Sequence, residues 1–223
     1  MIEDLDFEAY LYISKDKFQI FVLNKKKLKN LYSQELKIDH QFDFKDLNIL
    51  LNFLDKNIYK IEKLIGNFIK NIILIVENEK NLKINMGIKK SYETSLKQKS
   101  FSSNLTELKD LFKKNYQDQT IMHMCIINYI IDGKRYSSFD TKLINDYFCI
   151  EVSFIAIDNK LVFAFDNVLE KYQIKIKQYM CGNYINNFIG DTGDEISIIA
   201  NKLINGLNIN EITIVPKHKE NKG

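Results

Sequence analysis

Residues 106–179 carry the pattern that most limits what this chain can fold into, because they predict five elements in a fixed order. A helix candidate is followed by two long apolar strands, and then by a second helix and a further strand. The elements are Thr106–Asn115, Thr120–Asp132, Phe148–Ile157, Leu161–Tyr172 and Ile174–Tyr179. The pair Asp132-Gly133 closes the first long strand with residue types that favour tight turns. Strands mixed with helices in this way predict a unit of α/β type.

The first half of the chain predicts a second group of elements. Three strand candidates, separated by short polar turns, form a meander; they are Phe7–Ile13, Lys17–Leu23 and Leu28–Ile38. Apolar residues then recur at steps of three and four over Phe44–Phe68, which predicts the strongest helix. The run Asn71–Glu77 is almost entirely apolar, as is typical of a strand buried on both faces. Leu82–Ile88 is expected to be a hairpin strand that follows it.

Two further stretches complete the prediction. The polar, Ser- and Lys-rich stretch Ser91–Asn104 indicates a linker and a domain boundary. Asp194–Asn205 has an acidic start, helical spacing and a following Gly206, and these features predict a helix. An alternative interpretation makes Glu195–Ala200 a strand of a phosphate-loop hairpin. Glu211–Val215 is expected to be the last strand.

Composition excludes several classes of function. A net charge of +3 is too small to indicate a nucleic-acid partner. The triplet Lys25-Lys26-Lys27 is interpreted as a solvated turn, with a phosphate or acidic-lipid contact as the alternative. Cys125, Cys149 and Cys181 form no CxxC motif, so we expect buried reduced thiols rather than disulfides or a zinc site. We expect no signal peptide and no transmembrane helix, and therefore a cytoplasmic protein.

Three short patterns give the chain a resemblance to a known family. Ile121–Lys134 (IMHMCIINYIIDGK), Phe148–Ile157 (FCIEVSFIAI) and Val162–Met180 (VFAFDNVLEKYQIKIKQYM) occur in an order that resembles the small inserted subdomain of the FtsA family. FtsA proteins are actin-like proteins of bacterial cell division. The resemblance covers roughly residues 7–190. The PilM family of type IV pilus proteins shares this architecture and is the second candidate.

The resemblance implies an α+β fold, namely a truncated actin-like (ribonuclease H-like) first lobe with an inserted small α/β subdomain. On this interpretation residues 1–92 form the first part of the lobe, residues 93–104 a linker and residues 105–182 the inserted subdomain. Residues 183–216 supply a helix and strand that complete the lobe, and residues 217–223 form a polar tail. Because the sequence ends at residue 223, we expect the adenosine-binding second lobe to be absent.

The resemblance also implies two phosphate loops, and both depart from the family pattern. The first, Ser14-Lys15-Asp16-Lys17, keeps a hydroxyl and lysines but has no glycine, and its aspartate would repel phosphate. The second, Asp191-Thr192-Gly193-Asp194, lacks the glycine run. We interpret Ser14, Lys15, Lys17, Asp191, Thr192 and Gly193 as vestigial. We therefore expect no tightly bound ATP, no other cofactor and no enzymatic activity.

The predicted function is that of a non-catalytic cytoplasmic adaptor of the bacterial division machinery. It would act through its inserted subdomain, bind division proteins and self-associate. It would reach the inner face of the membrane at the division site only indirectly, unless a C-terminal helix has been removed. The long connection between the two central strands supplies the candidate contacts, which are Tyr136, Phe139, Asp140 and Tyr147. An ordinary surface loop is the simpler alternative there.

Other functions also remain open. The first is a PilM-like adaptor of a type IV pilus or secretion assembly, and the second is an enzyme without a recognisable motif. His40, His123 and His218 are far apart, so no metal site is expected, and His123 is interpreted as a structural histidine.

Overall fold

The chain forms two β-sheets with helices packed against them. The computed structural model describes residues 6–39, 42–91, 98–138, 147–190 and 193–212. The strands are β1 (Phe7–Ile13), β2 (Lys17–Asn24), β3 (Lys29–Lys37), β4 (Asn71–Val76), β5 (Leu82–Ser91), β6 (Gln119–Ile131), β7 (Lys134–Tyr136), β8 (Tyr147–Asp158) and β9 (Lys175–Cys181). The α-helices are α1 (Asn48–Ile65), α2 (Gln98–Asn115), α3 (Asn159–Glu170), α4 (Gly182–Asn186) and α5 (Ile196–Ile204).

The first sheet has five strands in the order β3-β2-β1-β4-β9. The predicted meander is confirmed, since β1, β2 and β3 pair antiparallel in sequence order. The strands β1, β4 and β9 are parallel to one another. Strand β4 lies between β1 and β9, and its side chains are buried on both faces because helices cover both sides of the sheet. Leu74 packs with helices α1 and α3, whereas Ile73 packs with α4 and α5. Mixed α/β architecture is therefore confirmed for this part of the chain.

The long helix α1 has the amphipathic face that its sequence predicts. Leu54, Ile58 and Ile61 are buried on the side that faces the sheet. The helix begins later than predicted because Asp43 and Asp46 accept hydrogen bonds from backbone amides two residues ahead, which forms turns before the first helical residue. It ends at Gly66, whose φ of 67° is the left-handed conformation that stops helices.

The second sheet has four strands in the order β5-β8-β6-β7 and is antiparallel throughout. It is made from residues that lie in the chain between β4 and β9, which are neighbours in the five-stranded sheet. Asp132 and Gly133 both have positive φ, as the two-residue turn of a tight β-hairpin requires. Helix α2 covers one face, where Leu108 and Phe112 pack on the strands.

The structure differs from the sequence expectation in how three segments pair. Strand β5 pairs with β8 and does not form a hairpin with β4. The β9 strand, expected in the inserted subdomain, pairs with β4 in the five-stranded sheet. Glu211 bridges to Cys125 of β6 in the four-stranded sheet and so does not complete the five-stranded one. An apolar pattern fixes which face of a strand is buried, but it does not specify which strand pairs with it.

Two helices also decide between sequence interpretations. Residues 98–104, expected in a linker, belong to α2. The stretch contains no glycine or proline, so a helix can run through its polar residues. The α5 helix confirms the helical interpretation of Asp194–Asn205, and the alternative strand at Glu195–Ala200 is wrong. Within the described residues, no helix combines the length and apolar character that crossing a membrane requires.

Candidate functional site

A cleft of about 480 Å³ lies at the carboxyl ends of β1 and β4. Ser14 and Lys17 reach it from the β1–β2 turn, and Gly193 reaches it from the segment before α5. Glu77, which directly follows β4, lines it as well. Described residues of both segments that were predicted to be vestigial phosphate loops therefore line one cleft, at the edge where open α/β sheets bind ligands. Asp191 and Thr192 lie outside the described residues, and Lys15 does not line the cleft.

The first vestigial loop is closed by its own serine. The Ser14 hydroxyl oxygen accepts hydrogen bonds from the backbone amides of Asp16 at 3.3 Å and Lys17 at 3.1 Å. The same hydroxyl lies 3.1 Å from the Lys17 carbonyl oxygen, to which it donates. A phosphate could take these amides only by breaking the turn, because each amide has a single hydrogen to donate.

The lysines of this loop are also engaged. Lys15 Nζ lies 3.0 Å from a carboxylate oxygen of Glu79, and Lys17 Nζ lies 3.4 Å from one of Glu35. Both pairs are partly exposed, so they add little to stability. Their consequence is that neither lysine presents an unpaired charge to the cleft.

Carboxylates dominate the charge of the cleft. Among the described residues that line it, four are acidic (Asp16, Glu77, Asp194 and Glu195) and Lys17 is the one lysine. Asp194 is paired at 2.6 Å with Lys202, a residue that does not line the cleft. Like charges repel within a few ångströms, so this arrangement opposes the approach of a polyphosphate.

Glu77 is held in place at the floor of the cleft. Its Oε2 accepts hydrogen bonds from the Tyr12 hydroxyl and from the Asn186 side chain, both at 2.7 Å. Burial raises the pKa of Tyr12 well above its usual value, and the hydrogen bond to Glu77 raises it further. Tyr12 therefore stays a hydrogen-bond donor. Sequence reasoning missed Glu77, because nothing local distinguishes it from other acids that follow strands.

Gly182 permits the close approach that sets the floor. A Cβ added at this position would lie 2.8 Å from the Cβ of Glu77 and 3.2 Å from its backbone nitrogen and Cα. The nearest atoms thus include backbone, which has little freedom to move. The one signal in the sequence is the position of Gly182, immediately after strand β9.

Replacing Gly182 with alanine is expected to lower the free energy of unfolding by about 1–3 kcal/mol, since the new methyl group overpacks the contact with Glu77. Chemical denaturation followed by circular dichroism measures the change. Gly87→Ala is the matched control, because the nearest atom to its Cβ would be a side-chain atom, the Sγ of Cys149, at 3.3 Å. Equal losses in the two variants would contradict the proposed backbone contact.

A second polar cluster joins the two sheets. His123 of β6 is fully buried. Its Nε2 accepts a hydrogen bond from the Cys181 backbone amide at 2.8 Å, so the network places the proton on Nδ1. Nδ1 lies 2.6 Å from Glu211, whose other carboxylate oxygen accepts from the Tyr184 hydroxyl at 2.9 Å. Both ring nitrogens are occupied, which agrees with a structural histidine and leaves no nitrogen to act as a base.

Cys125 belongs to the same cluster and is not an activated nucleophile. Its Sγ lies 3.5 Å from the Tyr184 hydroxyl oxygen, and burial raises the pKa of the thiol to about 11. Nucleophilic cysteines have lowered pKa values in electropositive surroundings. Among the described residues, no three His, Cys, Asp or Glu side chains are grouped so that they could hold a metal ion.

Thiol labelling at pH 8 is expected to modify Cys149 first. It is half-buried, whereas Cys125 and Cys181 are buried and Cys125 is ionised in only about one molecule in a thousand at this pH, given its pKa of about 11. Mass spectrometry of the labelled protein gives the order. The labelling rate of Cys125 should rise about tenfold for each unit by which the pH is increased, up to about pH 11. A rate that does not depend on pH would contradict the pKa shift. Unfolded protein, in which all three should react, is the control.

The predicted contact residues lie at one end of the four-stranded sheet where the structure describes them. Tyr136 is the last residue of β7 and packs against the core of this sheet. Tyr147 is the first residue of β8, and its ring carries the Lys89 ammonium group at 3.7 Å from the centroid. Phe139 and Asp140 lie outside the described residues. The contact role of this surface stays a prediction.

No family model matches the sequence, and no curated protein matches it. Solved structures do match. The PilM-PilN type IV pilus biogenesis complex is similar with a TM-score of 0.46 and 6% identity, over 81% of this chain and 49% of that chain. The cytoplasmic domain of EpsL, an inner membrane component of the type II secretion system of Vibrio cholerae, is similar with a TM-score of 0.37 and 9% identity. The match covers 78% of this chain and 57% of that chain.

A third structure is a Bacteroides thetaiotaomicron protein with an actin-like ATPase fold and unknown function. It gives a TM-score of 0.33 and 16% identity, over 83% of this chain and 56% of that chain. The chain thus spans between 49% and 57% of the three structures that it matches. They are a pilus complex, a component of a secretion system and a protein of unknown function, and identities this low identify no family.

Proposed function

We propose that this chain is a non-catalytic adaptor that works by protein–protein contact and has lost nucleotide binding. The observation that carries the proposal is the state of the cleft. Its loop amides are bonded to Ser14, its loop lysines are paired with carboxylates, and four acidic residues line it. A site for a polyphosphate needs free amides and unpaired cations at the same positions.

The element order supports an actin-like interpretation of the lobe. A meander, a helix, a strand parallel to β1, a second sheet with its own helix, a further helix and a further parallel strand follow one another. The resemblance to the FtsA and PilM families implies the meander, the long helix, the buried strand and then an inserted subdomain in this order, but it placed β5 in the lobe and α3 and β9 in the inserted subdomain. We propose that β1 to β4, α1, α3, β9, α4 and α5 form the lobe, and that β5 to β8 with α2 form the inserted unit.

The inserted unit offers a surface for partners. In the described part of the chain, β5 has one strand neighbour, so its other edge presents backbone amides and carbonyls along ten residues. Edge strands of this length can add a partner strand by main-chain pairing. Tyr136 and Tyr147 lie at the end of the same sheet. We propose this edge and this end as the contact surface of the adaptor.

The first test is calorimetry of the folded, monodisperse protein with ATP and magnesium. We expect no heat of binding, because phosphates would have to displace Ser14 from the loop amides and approach several carboxylates. Micromolar binding would overturn the loss of nucleotide binding. In that event Lys17→Ala and Gly193→Val would show whether the heat comes from this cleft, with Lys113→Ala in α2 as the remote control.

The second test is direct binding to purified components of candidate assemblies. We propose the type IV pilus or secretion assembly as the first to examine, and the division machinery as the second. Binding should weaken in Tyr136→Ala and Tyr147→Ala. It should persist in Phe163→Ala, which removes an aromatic ring that is 68% exposed on α3, outside the inserted unit. Retained binding in both tyrosine variants would contradict the proposed surface.

A further inference from the structure

The end of the five-stranded sheet opposite the cleft is rich in exposed lysines. Strands β1, β4 and β9 begin at this end, and the β2–β3 turn lies beside them because Asn24 pairs with both Phe7 and Lys29. The turn carries the triplet Lys25-Lys26-Lys27. Lys70 directly precedes β4, and Lys175 is the first residue of β9. A groove of about 310 Å³ here is lined by Lys25, Lys70 and Lys177.

Within the described part of the chain, some of these lysines have a carboxylate partner and others have none. Lys25 pairs with Asp6 at 2.7 Å, and Lys177 pairs with Glu8 at 2.6 Å. By contrast, no described carboxylate lies within 4.0 Å of the ammonium groups of Lys26, Lys27, Lys70 or Lys175, and all four residues are exposed. The lysines therefore present a positive surface and do not serve internal ion pairs.

Apolar side chains project among these lysines. Phe68 lines the same groove and is 74% exposed, although a phenylalanine gains most from burial. It follows Gly66, whose left-handed conformation turns the chain out of α1. Leu28 stands next to the lysine triplet, is 40% exposed, and is held at a positive φ of 47° that leucine rarely adopts. Two apolar groups are thus displayed beside four lysines that pair with no carboxylate of the described residues.

We propose that this basal patch, defined as Lys26, Lys27, Leu28, Phe68, Lys70 and Lys175, binds the surface of an anionic lipid bilayer. The lysines contact the headgroup phosphates, and Phe68 and Leu28 enter the boundary between headgroups and acyl chains. Such binding combines buried apolar area with attraction to anionic lipid. A nucleic-acid backbone would satisfy the lysines and leave Phe68 and Leu28 in water, so the bilayer is the better match.

The proposal places the starts of β1, β4 and β9 against a membrane, with the cleft and the carboxyl ends of these strands facing away. It does not depend on the partner of the inserted unit or on the nucleotide. Failure of the calorimetric or partner tests would therefore leave it standing, and its own failure would leave the adaptor function standing.

The test is co-sedimentation of the full chain with large unilamellar vesicles. Vesicles of phosphatidylcholine alone are compared with vesicles that also contain phosphatidylglycerol. We expect binding to the anionic vesicles only, with a fall as salt is raised. Lys26→Glu with Lys27→Glu should reduce the partition coefficient at least about tenfold, since each lysine near an anionic surface contributes roughly a fivefold gain. Phe68→Ser should weaken the binding that persists at high salt.

The matched control is Lys113→Glu with Lys114→Glu, which makes the same charge change on exposed residues at the end of α2. It should bind as the unchanged protein does. Equal loss in the control, equal binding to neutral vesicles, or no binding to either vesicle would overturn the proposal. Binding to a DNA duplex but not to vesicles, with the same sensitivity to the basal lysines, would also overturn it and would assign the patch to nucleic acid.

Discussion

Replacing Phe154 with alanine is expected to lower the free energy of unfolding by about 3–5 kcal/mol. Phe154 is fully buried in the middle of β8, and its ring stacks on that of Phe112 with centroids 4.7 Å apart. Its loss removes apolar area from the core of the four-stranded sheet and opens a cavity beneath α2. Guanidinium denaturation, followed by far-ultraviolet circular dichroism, measures the difference.

Phe163→Ala provides the control for the removal of a phenylalanine ring. Phe163 lies on α3 and is 68% exposed, so its replacement should change the free energy of unfolding by no more than about 0.5 kcal/mol. If Phe154→Ala lowered the free energy of unfolding by no more than Phe163→Ala does, the described packing of α2 against β8 would be wrong.

Replacing Glu211 with alanine is expected to destabilise the protein by about 2–3 kcal/mol, because hydrogen bonds to a charged group are among the stronger ones. The carboxylate accepts from His123 and from Tyr184, and the variant leaves the buried Nδ1 hydrogen of His123 without its acceptor. The backbone bonds Ile126 N to Asn210 O and Ile212 N to Met124 O should open as well. Denaturation gives the energy, and hydrogen exchange at the amides of Ile126 and Ile212 gives the location.

Glu79→Ala is the control for the loss of a glutamate. Glu79 pairs with Lys15 at 3.0 Å, but its side chain is 79% exposed, so the pair contributes at most about 1 kcal/mol. Faster exchange confined to the Glu211 variant is expected. Unchanged exchange at Ile126 and Ile212 in that variant would contradict the role of Glu211 in holding the segment 208–212 against β6.

The local elements of this fold could be predicted from the sequence because each has its own pattern. The periodicity of α1, the meander of β1 to β3 and the central run of β4 are visible within short windows. The partner of β5 could not be predicted, because Leu82 pairs with Ala156 and no pattern within β5 identifies a strand so far along the chain. The same limit applies to β9, whose alternation is compatible with either sheet.

The candidate site divides in the same way. The resemblance alone pointed to the segments that contain Ser14, Lys17 and Gly193, and the structure brings these three residues together in one cleft. Glu77 and Gly182 could not be anticipated, since their contact depends on how tightly the chain after β9 approaches the end of β4. The bond between His123 and Glu211 joins segments that no local pattern relates.

The position of the four-stranded sheet within the chain has a consequence for how the protein folds. The parallel neighbours β4 and β9 cannot pair until everything between them has been synthesised, and loop closure over such a distance is entropically costly. The pairings of β5, β6, β7 and β8 are more local and antiparallel, so they can form first. Once formed, they bring the end of β4 towards the start of α3 and shorten the remaining search. Until β9 pairs with it, β4 exposes an apolar edge that can aggregate. Early formation of the second sheet would shorten this period in a growing chain and so would reduce aggregation of the first sheet.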